Sequence, residues 1–113
     1  METYKVTFLQ SALDDLQEIV LYIAADSKEN ALIWHDKLVG TANKLALFPM
    51  MGVLVPDKKI SRMGFRMFPI GNYLLFYKIY EQDKEVTVLR VINGSRDYPN
   101  LFTDYVSKKD GEL

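Results

Sequence analysis

The period of the apolar positions changes several times along the chain. Tyr4, Val6 and Phe8 alternate with Lys5 and Thr7, the two-residue repeat of a half-buried strand over residues 3–8. Leu13, Leu16, Val20 and Ile23 then recur at spacings of three and four, which predicts an amphipathic helix running to about Ala25. Ser11 is the expected cap, with Asp14 three residues on as its capping-box partner. Asp14, Asp15 and Glu18 lie in the early turns, where the helix dipole favours anions. Ser27 opens a second helix whose apolar side is Ala31, Trp34, Leu38, Ala42 and Leu45, ending at Phe48 before Pro49. The joint at Asp26–Ser27 is short, so the two helices should pack as an antiparallel pair. Gly40 weakens the second helix by about 1 kcal/mol relative to alanine and is expected to mark close packing.

Residues 49–58 carry Pro49, Gly52 and Pro56 and read as an irregular connection. A three-stranded antiparallel meander is predicted next. Its strands are 60–68, Tyr73–Tyr80 and Glu85–Ile92, joined by turns at Pro69–Asn72 and Glu81–Lys84. In the last strand Val86, Val88 and Arg90 should share one face, and Thr87, Leu89 and Val91 the other. Asn93–Gly94–Ser95 breaks it, and Pro99 pre-sets a short helix with Leu101, Phe102, Tyr105 and Val106 on one side. The order β-α-α-β-β-β-α makes an α+β domain, with the helical pair buried on one face of an antiparallel sheet. The other face is then left for function. One domain over residues 1–107 and a disordered tail over 108–113 are expected.

Composition narrows the chemistry. The 113 residues include no cysteine, which excludes a disulfide framework, a thiolate nucleophile and a cysteine zinc site. No apolar run approaches the ~18 residues of a membrane span, and the N-terminus lacks the basic and apolar blocks of a signal peptide, so a cytoplasmic protein is expected. The net charge of −1 is unevenly divided. Residues 1–57 carry eight acidic and four basic side chains, whereas 58–113 carry seven acidic and ten basic. Positive charge in the second half either attracts phosphates or is a set of solvated strand and loop charges.

No P-loop, no dinucleotide-binding glycine motif and no nucleophile elbow occurs. His35 is the single histidine, so neither a histidine metal cluster nor a histidine acid–base pair is available. It reads as a surface residue beside Trp34, a core anchor, and no metal or other cofactor is expected. What remains is a set of arginines and tyrosines: Arg62 and Arg66 on the first meander strand, Arg90 on the last, and Arg96–Asp97–Tyr98 beyond it. Arg62 and Arg66 are an even number of residues apart and should project from one face. The first and last meander strands lie roughly 10 Å apart, within reach of convergent guanidinium groups. Such a cluster suits a phosphate backbone or the transition state of RNA cleavage, because arginine stays charged and offers a fixed fork of donors. The alternative is that Arg96 pairs with Asp97 or Asp104 and that the other arginines are solvated.

The run FRMFPIGNYLLFYKIYEQDKEVTVLRVINGSRDY resembles the C-terminal half of toxins of the RelE/ParE superfamily. In those proteins a basic strand leads through a glycine turn into a tyrosine strand, here Tyr73 and Tyr77, and then into a strand with the ending supplied here by Val91–Ile92–Asn93–Gly94–Ser95–Arg96–Asp97. SALDDLQEIVLYIA is similar to the family's first helix, and the resemblance spans about residues 3–98. It implies a type II toxin held by a cognate antitoxin. The expected activity is ribosome-dependent mRNA cleavage, as in RelE-like members, which cut mRNA in the ribosomal A site; the alternative is that of ParE-like members, which poison DNA gyrase without a nuclease centre. For the nuclease the resemblance carries over Arg96 and Arg66, which would bind the scissile phosphate, with Tyr98 as the substitute candidate for proton transfer; from the basic cluster, Lys59, Arg62 and Arg90 would bind the nucleic acid. Leu101, Phe102 and Tyr105 would line an antitoxin groove. The chain departs from the nuclease pattern at Leu74, Asn93 and Phe102, where RelE-like members carry arginine, histidine and, in some of them, tyrosine. An inactive relative acting as a binding or regulatory module is a further alternative.

Overall fold

The computed structural model describes residues 3–95 and Tyr98. Five strands form one sheet: β1 (Lys5–Phe8), β2 (Val53–Leu54), β3 (Phe65–Ile70), β4 (Tyr73–Tyr80) and β5 (Glu85–Asn93), in spatial order β1-β5-β4-β3-β2. Three helices accompany them: α1 (Gln10–Ala24), α2 (Lys28–Asn43), extended by a 3-10 turn at Lys44–Ala46, and α3 (Lys58–Arg62). The α+β class and the helical pair are as the periodicity predicts, but the sheet has five strands, not four. The short β2 adds to the meander's edge, pairing Val53 with Met67 and Leu54 with Arg66. β1 runs parallel to β5, from Lys5 opposite Glu85 to Phe8 opposite Val88. The helix expected after Pro99, with Leu101, Phe102 and Tyr105, and the tail expected at 108–113 fall outside the described residues.

The helical pair covers one sheet face. Ala12 and Leu16 of α1, Leu38 and Ala42 of α2, and Leu45 are buried against Leu75, Tyr77, Val86, Val88 and Val91. On α1 the buried stripe is Ala12, Asp15 and Leu16, while Leu13 faces solvent, a rotation of the face from that read in the leucines alone. Nor does Ser11 cap this helix. Leu9 occupies the cap without a side-chain bond, and the Ser11 hydroxyl donates to the Leu89 carbonyl at 2.7 Å. Ser27 does cap α2, accepting from the Asn30 amide at 3.1 Å. Gly40 has no neighbour within 4 Å of where a Cβ would stand, so it marks no close approach.

The opposite face is not bare. Val55, Ile60, Phe65, Phe76, Leu89 and Ile92 form a second buried cluster, with Met63, Met67, Leu74 and Tyr98 packed around it. This overturns the expectation of one uncovered face. Residues 60–68 are also not one strand. Asp57 accepts from the Ile60 amide at 3.1 Å and starts the short α3, and Gly64, at φ 88°, turns the chain before β3 begins at Phe65. Gly71, at φ 60°, takes the first position of the two-residue β3–β4 turn, where primed hairpin turns need positive φ. The Trp34 ring lies against it and meets Tyr73 edge-to-face at 5.4 Å.

Candidate functional site

Among the described residues, Arg62, Arg66 and Arg90 do not converge on one site. The register slips by one residue between β4 and β5 at Phe76/Tyr77. Val86, Val88 and Val91 therefore face the helices together, and the strict alternation expected for this strand fails at Leu89–Arg90. The Arg90 guanidinium grips Asp15 of α1 through two bonds, Nε to Oδ2 at 2.8 Å and Nη2 to Oδ1 at 2.9 Å. The same Asp15 Oδ2 accepts from the Val91 amide at 2.9 Å. β1 ends opposite Val88, so this carboxylate satisfies a β5 edge amide that no neighbouring strand reaches. Hydrogen bonding to Asp15 raises the pKa of Arg90 above the ordinary arginine value, against the opposing effect of its partial burial. Arg90 is thus a clamp between sheet and helix, with its donor fork occupied.

Arg66 has a similar fate. Its partner across the ladder is Tyr77, so it stands on the helix-covered side of the sheet, near the β2 edge. Its Nη2 donates to the Gly52 carbonyl at 2.6 Å and, at a long 3.5 Å, to that of Met50. Its Nε is buried without an acceptor among the described residues. Tyr77, fully buried, holds the same loop from beneath. Its hydroxyl donates to the Pro49 carbonyl at 2.7 Å and accepts from the Gly52 amide at 2.9 Å. Gly52 is required here, because a Cβ would stand 2.6 Å from both the Tyr77 hydroxyl and the Met67 carbonyl.

Arg62 is not a strand neighbour of Arg66 but the last residue of α3. It lies three residues from Lys59, and both are exposed. Tyr98 packs its ring on Phe76 at 5.3 Å, over the second cluster. Arg96 lies outside the described residues. His35 is exposed beside Asp36 and takes no part in these contacts. What the described residues bring together is two structural locks and an exposed pair of cations on α3.

Sequence reasoning missed Asp15 and the 49–52 loop. The signal for Asp15 is visible in retrospect: an acid shares the stripe of Ala12 and Leu16, so it requires a partner where it is buried. For the loop the signal was glycine between apolar neighbours.

Two of the surface hollows among the described residues bear on the site. One, of about 280 Å3, lies between α1 and the β5 end, lined by Asp15, Glu18, Tyr22 and Asn93 among others. The other, about 510 Å3 and shallow, is formed by Leu47, Phe48, Pro49, Met50 and Met51.

The sequence profile of the ParE toxins of type II toxin–antitoxin systems, parDE, matches residues 6–98. The chain belongs to the ParE toxin family. Solved structures share its fold. The toxin–antitoxin complex RelBE2 from Mycobacterium tuberculosis aligns at a TM-score of 0.62 and 23% identity, over 82% of this chain and 93% of the other. The chromosomal ParDE system from P. aeruginosa aligns at 0.65 and 19%, over 80% and 96%. The isolated E. coli RelE toxin aligns at 0.58 and 15%, over 93% and 97%. No curated protein matches the sequence. Among the described residues of this ParE-family chain, no helix is long and apolar enough to cross a membrane.

Proposed function

We propose that this toxin acts by binding a protein target, DNA gyrase, without cutting RNA, and that a cognate antitoxin holds it inactive. The observation that carries this reading is the commitment of Arg66 and Arg90. Both meander guanidinium groups of the nuclease reading, Arg66 for catalysis and Arg90 for binding the nucleic acid, are tied to Gly52 and Asp15. A transition-state fork must be free and preorganised at the reacting centre. Of the nuclease set, only Arg96 and Tyr98 then remain, and Tyr98 lies on Phe76. Lys59 and Arg62 keep a role as exposed cations that attract a charged partner.

The antitoxin follows from the family and from two similar structures that are themselves toxin–antitoxin systems. Its contact is assigned to Leu101, Phe102 and Tyr105, which follow Tyr98 in the chain. An antitoxin segment that folds on the toxin would cover these side chains.

Purified toxin added to DNA gyrase with supercoiled plasmid tests the target. Accumulated cleaved plasmid, or lost supercoiling, supports the proposal. If gyrase is unaffected while mRNA on translating ribosomes is cut in the A site, the ribosome-dependent nuclease is the correct reading.

A further inference from the structure

The segment 45–56 contains no charged residue. Five of its apolar side chains, Leu47, Phe48, Met50, Val53 and Leu54, are exposed, on a protein that has a well-filled core on both sheet faces. Apolar surface of this kind, gathered in one place, marks an interaction site where isolated exposed side chains do not. The segment is also held stiffly. Tyr77 and Arg66 fix the backbone at Pro49, Met50 and Gly52 from the sheet side, so the patch keeps its shape without a partner. A preorganised surface binds without the entropic penalty of ordering it.

Charge decides what fits there. The cations flanking the segment in the chain are Lys44 on one side and Lys58, Lys59 and Arg62 on the other. The single acid between them, Asp57, is bonded to the Ile60 amide as the cap of α3. The segment is therefore apolar along its length and bounded in the chain by exposed cations. A second copy docked through the same patch would set these cations against their own kind. A nucleic-acid backbone offers nothing to bury the carbon side chains. The hollow over Leu47–Met51 admits a protruding side chain better than a flat surface.

We propose that the 47–54 patch at the β2 edge is the docking surface for the toxin's protein target, which presents there an apolar ridge flanked by carboxylates. This rests on the gyrase reading above. The apolar side chains supply most of the affinity, and the flanking cations supply orientation and association rate.

The test is binding of the full chain to intact DNA gyrase, measured by surface plasmon resonance for three proteins. These are wild type, Phe48→Ser/Met50→Ser, and a control, Leu32→Ser/Ile33→Ser, which removes exposed apolar surface from α2. Circular dichroism and melting temperature check that each is folded. The patch variant should bind at least tenfold more weakly, with the control unchanged. Lys58→Glu/Lys59→Glu should slow association and flatten its salt dependence. Equal affinity of patch variant and wild type overturns the docking surface and leaves the gyrase reading standing. If wild type does not bind gyrase at all, the reading falls and this inference with it. Two other outcomes also overturn it: binding to phosphatidylglycerol-containing vesicles that the patch variant loses, or a wild-type dimer that the patch variant dissolves.

Discussion

Removing Asp15 separates a structural arginine from a functional one. Asp15→Ala would leave the Arg90 guanidinium without its two bonds and the Val91 amide without its acceptor. Breaking a buried ion pair by deleting one partner costs about 3–5 kcal/mol. Here the Arg90 side chain keeps 24% of its surface exposed against 9% for Asp15, so water recovers part of that loss. An estimate of about 3 kcal/mol for Asp15→Ala follows, including about 1 for the stranded amide. Arg90→Ala should cost about 2 kcal/mol, because the buried Asp15 carboxylate is left with the Val91 amide as a donor. The double variant then costs less than the sum of the two, with a coupling of about 1–2 kcal/mol. Urea unfolding of the four proteins by circular dichroism at neutral pH gives each value. A coupling near zero would refute the clamp and return Arg90 to the pool of free cations.

Further outcomes follow from the same contacts. Tyr77→Phe deletes a buried hydroxyl that serves the Pro49 carbonyl and the Gly52 amide, so stability should fall by about 1–3 kcal/mol in thermal or urea unfolding. Hydrogen exchange at the Gly52 amide should accelerate in that variant; unchanged exchange would contradict the lock. Gly71→Ala combines a positive φ with a Cβ 2.5 Å from the Trp34 ring, so Trp34 fluorescence should shift along with a lowered melting temperature. Ser11→Ala removes a side-chain bond to Leu89, not a helix cap, and should cost about 1 kcal/mol without altering helix content.

Most of the architecture was legible because it rests on period. The spacing of Leu38, Ala42 and Leu45 set which side chains meet, and the structure places them in one core against Leu75 and Tyr77 of β4. Ser27 capped α2 as its chemistry requires. Where reading failed, a non-local contact outweighed a local signal. Ser11 has the right residue type for a cap but lies against β5, where the Leu89 carbonyl takes its hydroxyl. The slip opposite Phe76 has no sequence signature, and it rearranges every face assignment after Val88. Arg62 and Arg66 looked like partners on one strand only until Asp57 and Gly64 were seen to bound a helix and a turn between them. The candidate site suffered most for this reason. Whether an arginine is free depends on an acceptor arriving from elsewhere in the chain, as Asp15 does from 75 residues away.

A toxin that acts by binding gyrase needs no RNA-cutting centre to arrest growth. The most direct measurement is mapping of mRNA 5′ ends in cells arrested by induced wild-type toxin, beside cells carrying Arg96→Ala/Tyr98→Phe. Both proteins should arrest growth, with damaged DNA and uncut coding sequences. Cuts within codons under wild type, lost together with the arrest in the double variant, would contradict the gyrase reading.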